Sequence, residues 1–335
     1  MSEPATGQVA TSHGSVSVAL CTFNGARYIA AQLESIFAQG DVVSELVVAD
    51  DGSTDDTLDR VREAVERAGW SDRVRVLTGG GHGVTANFER AVRACRGEFI
   101  ALSDQDDEWL PGRLTAQLDR LAASAGAELL FADAELVDAG GSPLGATLFQ
   151  HLEVGAPELY EIAGAGAFGA LLRRNIVTGA TVVFRRSLLE RALPFPSEWV
   201  HDEWLAIVAA ATGSVVPLDR PVTAYRQHGA NQIGVAAPTL CRKVRRVLQP
   251  RGARNRDLAT RSAVLADRLE QLGVSASRLD AARAKSAFER FRADLPTARP
   301  PRIVPVLARA ASGDYARYAS QGTMDIVRDL VQPAD

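Results

Sequence analysis

Apolar residues in the first part of the chain fall into two alternating rhythms. Val16, Val18 and Leu20 mark a strand that runs out into Cys21-Thr22-Phe23-Asn24-Gly25, and Ile29, Leu33, Ile36 and Phe37 then recur at the spacing of one helix face. Leu46-Val47-Val48-Ala49 reads as a short buried strand ending in Asp50-Asp51-Gly52-Ser53, after which Leu58, Val61 and Val65 mark a second helix. Val74, Val76 and Leu77 form a third strand pattern, and Val84, Phe88 and Val92 a third helix. Phe99-Ile100-Ala101-Leu102 is a fourth strand, with Leu114, Leu118 and Leu121 at helical spacing beyond it. This alternation predicts an α/β fold, a Rossmann-like, mostly parallel sheet flanked by helices. Ligands of such sheets bind outside the carboxyl ends of the strands. The first, second and fourth strands each end there in polar residues, so their motifs converge.

The fourth strand ends abruptly in Ser103-Asp104-Gln105-Asp106-Asp107-Glu108-Trp109. Carboxylates this close repel one another and need a counter-charge. A hard divalent cation held by oxygen is one answer, and such ions commonly bridge to substrate phosphates. A solvated acidic turn ahead of the Leu114 helix is the other.

Gly81-His82-Gly83-Val84-Thr85-Ala86 fits the dinucleotide fingerprint between a strand and a helix, with Asp104 about twenty residues on. A dinucleotide-binding oxidoreductase is therefore one alternative. Against it, the fingerprint belongs to a first strand, whereas two strand–helix units precede this one.

The 335 residues, 46% hydrophobic and 23% charged, have the composition of a globular protein. A net charge of −4 argues against a nucleic-acid partner. Cys21, Cys95 and Cys241 are too few and too scattered for a disulfide framework, which favours a reducing compartment. Residues 1–14 are polar and read as a disordered end. With no apolar stretch long enough to span a bilayer, the expected location is the cytoplasm or the inner face of the membrane. From 236 to 335 the pattern becomes helical, at Leu258, Val264, Leu265 and Leu269 and again at Leu279, Phe288 and Phe291. The Arg242, Lys243, Arg245, Arg246, Arg251, Arg254 and Arg256 cluster offers peripheral contact with an anionic membrane or a solvated face.

Val18–Gly25, Val48–Asp55 and Ser103–Asp107 together resemble the three signature blocks of the family 2 inverting glycosyltransferases. Gly83–Phe88, Asn175–Thr181 and His201-Asp202-Glu203-Trp204-Leu205 are similar to the rhamnosyltransferase-like branch. The resemblance covers about residues 15–235. It implies a GT-A catalytic domain there, with the nucleotide-binding part at about 15–125, the acceptor part at about 126–235 and a C-terminal helical subdomain after it.

The resemblance also implies roles for individual residues. Cys21, Phe23 and Asn24 border the nucleobase, Asp51 accepts a hydrogen bond from it, and Asp104 faces the ribose. An ionised carboxylate only accepts, which suits the imide N–H of uracil or thymine. Asp106 and His228 ligate Mn²⁺ or Mg²⁺, with Asp107 behind them. Asp202 is the base that deprotonates the acceptor hydroxyl, although an Asp near a helix start is also a common cap. Glu203 stands in reserve, and His201 occupies a position where many family members carry glutamate. Thr178 and Gly179 lie on the acceptor or sugar side, and Arg226 reaches the diphosphate.

The expected activity is transfer of a sugar, such as L-rhamnose, from a dTDP- or UDP-linked donor. The acceptor is a hydroxyl on a glycan, a lipid-linked molecule or a natural product, as in polysaccharide biosynthesis, and the enzyme could work as a homo-oligomer. The rivals are a non-catalytic sugar-nucleotide-binding protein and a nucleotidyltransferase. The latter lacks its Gly-rich basic loop, because 21–26 holds one glycine and no lysine.

Overall fold

A computed structural model describes residues 14–228 and 252–333. Most of the expected frayed N-terminus, Cys241 and the basic residues from Arg242 to Arg251 lie outside the described residues.

Strands β1 (Val16–Thr22), β2 (Val43–Asp50), β3 (Val74–Leu77) and β4 (Phe99–Asp104) pair in the order β3-β2-β1-β4, all parallel. Every residue of β1 is buried, as expected of a strand covered on both faces. Successive side chains diverge. Val18 and Leu20 join a core with Leu33, Leu46 and Leu114, while Ala19 and Cys21 join another with Phe88, Leu102 and Trp204. Helices α1 (Ile29–Phe37), α2 (Thr57–Ala68), α3 (Val84–Ala94) and α4 (Arg113–Ala122) complete this half at the expected places.

The second half is mixed rather than parallel. It comprises β5 (Glu108–Trp109), β6 (Ala127–Val137), β7 (Pro143–Thr147), β8 (Val183–Arg185) and β9 (Ser214–Arg226). Antiparallel β8 bridges β4 and β6, β6 pairs with β9 in parallel, and antiparallel β5 returns along β9. That last pairing lays the acidic turn after β4 beside the end of β9. Helices α5 (Leu148–His151), α6 (Ala156–Ala163), α7 (Ala167–Arg173), α8 (Leu189–Ala192) and α9 (His201–Thr212) pack around this half. Ten of the twelve residues of α9 are buried, so it is a core helix with an acidic start.

The C-terminal helices are α10 (Gly252–Gln271), α11 (Ala276–Ala293), α12 (Ile303–Ala311), α13 (Asp314–Tyr318) and α14 (Thr323–Val331). Leu265, Ala266, Leu269 and Ala282 belong to the same core cluster as α7 and α9, so α10 and α11 dock on the α/β body. Phe288, Leu295, Val306, Tyr315 and Ala319 form a smaller core of their own. Among the described residues no helix is long and apolar enough to cross a membrane.

Candidate active site

Parallel pairing sets Cys21 level with Asp104 and Thr22 level with Asp50, which brings three strand ends to one edge. Hydrogen bonds stitch the loops that follow. Asn24 stands at φ 48, its N–H donates to Ser53 Oγ at 2.9 Å, and its Oδ1 accepts from the Thr54 N–H at 2.8 Å. Gln105 accepts from the Phe23 N–H at 2.8 Å and donates to the Phe23 carbonyl at 3.0 Å, tying the first loop to the acidic turn. Phe23 stays 54% exposed, whereas the Cys21 thiol is buried in the core.

Asp50 holds its own turn, accepting from Thr22 Oγ1 at 2.8 Å and the Ser53 N–H at 2.8 Å. Asp51 accepts three backbone N–H groups, from Gly81 at 2.9 Å, His82 at 3.2 Å and Gly83 at 3.0 Å. The fingerprint-like glycines therefore wrap a carboxylate of this chain. Gly81 and Gly83 have φ near +82 and +84, and a side chain at Gly80 would collide with the Asp51 backbone. The loop is a cradle for Asp51, whose oxygens keep about one of some four acceptor positions free.

The acidic turn meets the end of β9. His228 Nε2 lies 2.8 Å from Asp106 Oδ2 across 122 positions of chain. Tyr28 stacks on the imidazole with centroids 5.2 Å apart. Arg226 departs from its expected role. It is 4% exposed, its backbone N–H donates to Asp107 Oδ1 at 2.9 Å, its Nε donates to the Asp106 carbonyl at 2.7 Å, and its Nη2 pairs with Glu108. The side chain locks the acidic turn and does not present itself to a diphosphate. The reason is topological, because β5 pairs with β9 and turns Arg226 inward.

A second cation comes from a residue that pattern reading passed over. Arg113, 1% exposed, sits under the cluster and donates to the Ala180 carbonyl and to Thr223 Oγ1, each at 2.7 Å. Burial pulls its pKa down to about 9, although Asp107 and Asp104 oppose the fall. Its sequence signal was Arg113 and Gln117, one helical turn apart on the apolar face that Leu114 marks. Despite this cation, burial and then the Asp106 and Asp202 carboxylates push Asp104 up to about 8. Burial, Asp106 and Asp104 also drive the Asp107 carboxyl well above its usual range.

A cavity of about 290 Å³ opens beside this cluster, lined by Asp104, Asp106, Thr178, Gly179, His201 and Asp202 among others. Asp202 is in the first turn of α9 and 6% exposed. Its Oδ2 accepts the Gly179 N–H at 2.7 Å, and its Oδ1 accepts the Glu203 N–H at 2.7 Å. Burial raises its pKa, opposed by His201 and by the backbone N–H groups of Gly179 and of Asp202 itself. Thr178 turns its carbonyl to Thr181, and Gly179 begins the short 3-10 turn that presents its N–H to Asp202. Glu203 pairs instead with Arg261 of α10, whose guanidinium covers Trp199.

Asp106 and His228 together offer a carboxylate and an imidazole; the carboxylate suits Mn²⁺ or Mg²⁺, and the imidazole favours Mn²⁺ of the two. Among the described residues no group of three or more His, Cys, Asp or Glu side chains is arranged to hold a metal. A cation here would thus draw its remaining ligands from substrate oxygens and water.

Residues 17–179 match the family model described as Glycosyl transferase family 2. An uncharacterized glycosyltransferase of Nostoc sp. is 26% identical over 64% of this chain, a match spanning 66% of that protein's length. The dTDP-rhamnosyl transferase RfbG of Shigella flexneri is 27% identical over 64% of this chain and 73% of its own. The mannosyltransferase PcManGT from Pyrobaculum calidifontis, solved with GDP-Man and Mn²⁺, shares the fold. Its TM-score is 0.53 at 20% identity, over 95% of this chain and 86% of that one. The signature blocks converging on one sheet edge, the matching family model and the common architecture agree: residues 17–179 carry a family 2 glycosyltransferase domain, and the chain has the GT-A fold.

Proposed function

We propose that the chain is a metal-dependent, inverting glycosyltransferase using a dTDP- or UDP-linked sugar. The acceptor is a hydroxyl of a glycan, a lipid-linked molecule or a small natural product. Similarity to the Shigella dTDP-rhamnosyl transferase makes L-rhamnose the first sugar to test. The observation that carries this reading is the meeting of Asp106 and His228 beside the cavity that Asp202 lines.

Single displacement at an anomeric carbon needs a base on the acceptor side and charge stabilisation on the leaving side. Asp202 suits the first task. The Gly179 N–H fixes its carboxylate, and burial raises its proton affinity towards the range in which a base works at neutral pH. Asp106 and His228 would hold the cation, which when bound supplies positive charge against the departing diphosphate. The Mn²⁺ in the Pyrobaculum mannosyltransferase supports that choice of ion. Asp51, with its remaining acceptor capacity, suits a uracil or thymine imide, and Phe23 offers an exposed ring on the loop after β1, whose Thr22 carbonyl accepts the Asp51 N–H.

Asp202→Asn tests the reading. Transfer should fall about 10²–10⁴-fold, the usual worth of a general base, while calorimetry with Mn²⁺ shows dTDP bound as in the wild type. Unchanged transfer removes Asp202 as the base. A melting point that no thymidine or uridine diphosphate sugar raises, with Mn²⁺ or Mg²⁺ present, defeats the donor assignment.

A further inference from the structure

His201, the first residue of α9, is 4% exposed and lies flat on Phe88 with ring centroids 3.8 Å apart. Neither of its ring nitrogens has a hydrogen-bond partner among the described residues. Buried polar atoms are ordinarily paired, and among the described residues His201 alone leaves two side-chain atoms unpaired, which calls for an explanation such as a water, an ion or a ligand. The ring lines the cavity of Asp202 and Asp106. A Cβ on Gly179 would come within 3.1 Å of Nε2, so glycine at that position lets the backbone pack close to the ring without crowding the nitrogen.

Burial lowers the proton affinity of the imidazole, which leaves it neutral with one donor and one acceptor. A sugar hydroxyl has the complementary pair. Asp202 must face an acceptor that arrives from solvent. His201 stacks on Phe88 of α3, from the nucleotide-binding half, and lines the same cavity as Asp104 and Asp106, the side on which a sugar joined to the nucleotide would lie.

Building on the glycosyltransferase reading, we propose that His201 determines sugar specificity by hydrogen-bonding a hydroxyl of the transferred sugar.

Calorimetry with Mn²⁺ tests this on the full chain, using dTDP, dTDP-L-rhamnose, UDP and UDP-glucose as probes. His201→Phe keeps the stack on Phe88 and removes both nitrogens, and His201→Gln restores a donor and an acceptor. All three proteins should bind the free diphosphates alike. His201→Phe should lose about tenfold or more in affinity for the sugar nucleotide, the worth of a hydrogen bond whose partner is left unpaired. His201→Gln should recover part of it, and the melting point of His201→Phe should equal or exceed that of the wild type.

In the wild type, the ¹⁵N imidazole signals of His201 should move with the sugar nucleotide and stay with the diphosphate alone, a readout independent of any variant's folding. Equal affinity of wild type and His201→Phe for the sugar nucleotides, or signals that do not move, overturns the inference. A wild type that binds none of the four probes defeats the dTDP- or UDP-sugar donor assignment on which it stands.

Discussion

At the cavity, Asp104, Asp106 and Asp107 crowd one turn, and their buried counter-charge is Arg113 below with Arg226 behind. In the C-terminal helices, Glu289, Asp325 and Asp329 are also buried, yet each touches a cation. Arg292 reaches Asp329 at 2.7 Å and Glu289 at 3.2 Å, Arg328 reaches Asp325 at 3.0 Å, and Lys285 reaches Glu289 at 2.7 Å. The electrostatics diverge accordingly. Burial and neighbouring acids push Asp104 up, whereas Arg292 and Arg328 hold Asp325 below its ordinary range against the desolvation of burial. One cluster is balanced by its own side chains and serves the fold. The other keeps an excess of negative charge beside a cavity, an arrangement that favours a functional role.

Substitutions can break this contrast. Arg292→Ala should be the most damaging to stability, by about 3–5 kcal/mol, because it strands buried carboxylates. Chemical denaturation measures that loss, and transfer per folded molecule should hold. An undiminished denaturation midpoint would make the network incidental.

Asp106→Asn should do the reverse. Transfer drops about 10²–10³-fold, as when one transition-state-stabilising group is removed. The melting point holds or rises, because repulsion on Asp104 and Asp107 is relieved. A fall in melting point like that of Arg292→Ala would erase the distinction.

Gly179→Ala places a methyl 3.1 Å from His201 Nε2 and 3.4 Å from Asp202 Oδ2. Transfer should fall about tenfold, a fraction of the 10²-fold that a full ångström of misplacement costs. Full activity would show that the Asp202 contact tolerates displacement.

The mildest effect is on the pH profile. Asp202 accepts a proton only when ionised, and burial raises its pKa. Activity should therefore fade with acidification above the ordinary carboxylate range, as kcat/KM against pH will reveal. An acid limb at or below about 4 would mean that Asp202 behaves as an exposed acid or is not the base.

Much of the nucleotide-binding half was readable because parallel strands buried on both faces spell themselves as apolar runs such as Leu46–Ala49. The signature acids were legible because they lie in single turns. Arg113 was not, since a buried arginine in an amphipathic helix looks like a surface residue until Thr223 and the Ala180 carbonyl come to it. The Gly81–Gly83 loop was ambiguous in the sequence for a similar reason. A glycine-rich turn specifies backbone freedom, and only the fold says that an Asp51 carboxylate sits inside it.

Local chemistry, written in consecutive residues, was enough to determine the strand–helix alternation and the family resemblance, and to single out Asp51, Asp106 and Asp202 as candidates. Tertiary structure alone decided which distant groups meet. It brought His228 to Asp106, turned Arg226 away from the cavity and buried the imidazole of His201 beside Gly179 with its nitrogens unpaired among the described residues. Hydrophobic periodicity is a short-range property of the chain, whereas charge pairing and burial depend on sheet order and register, which only the assembled fold sets.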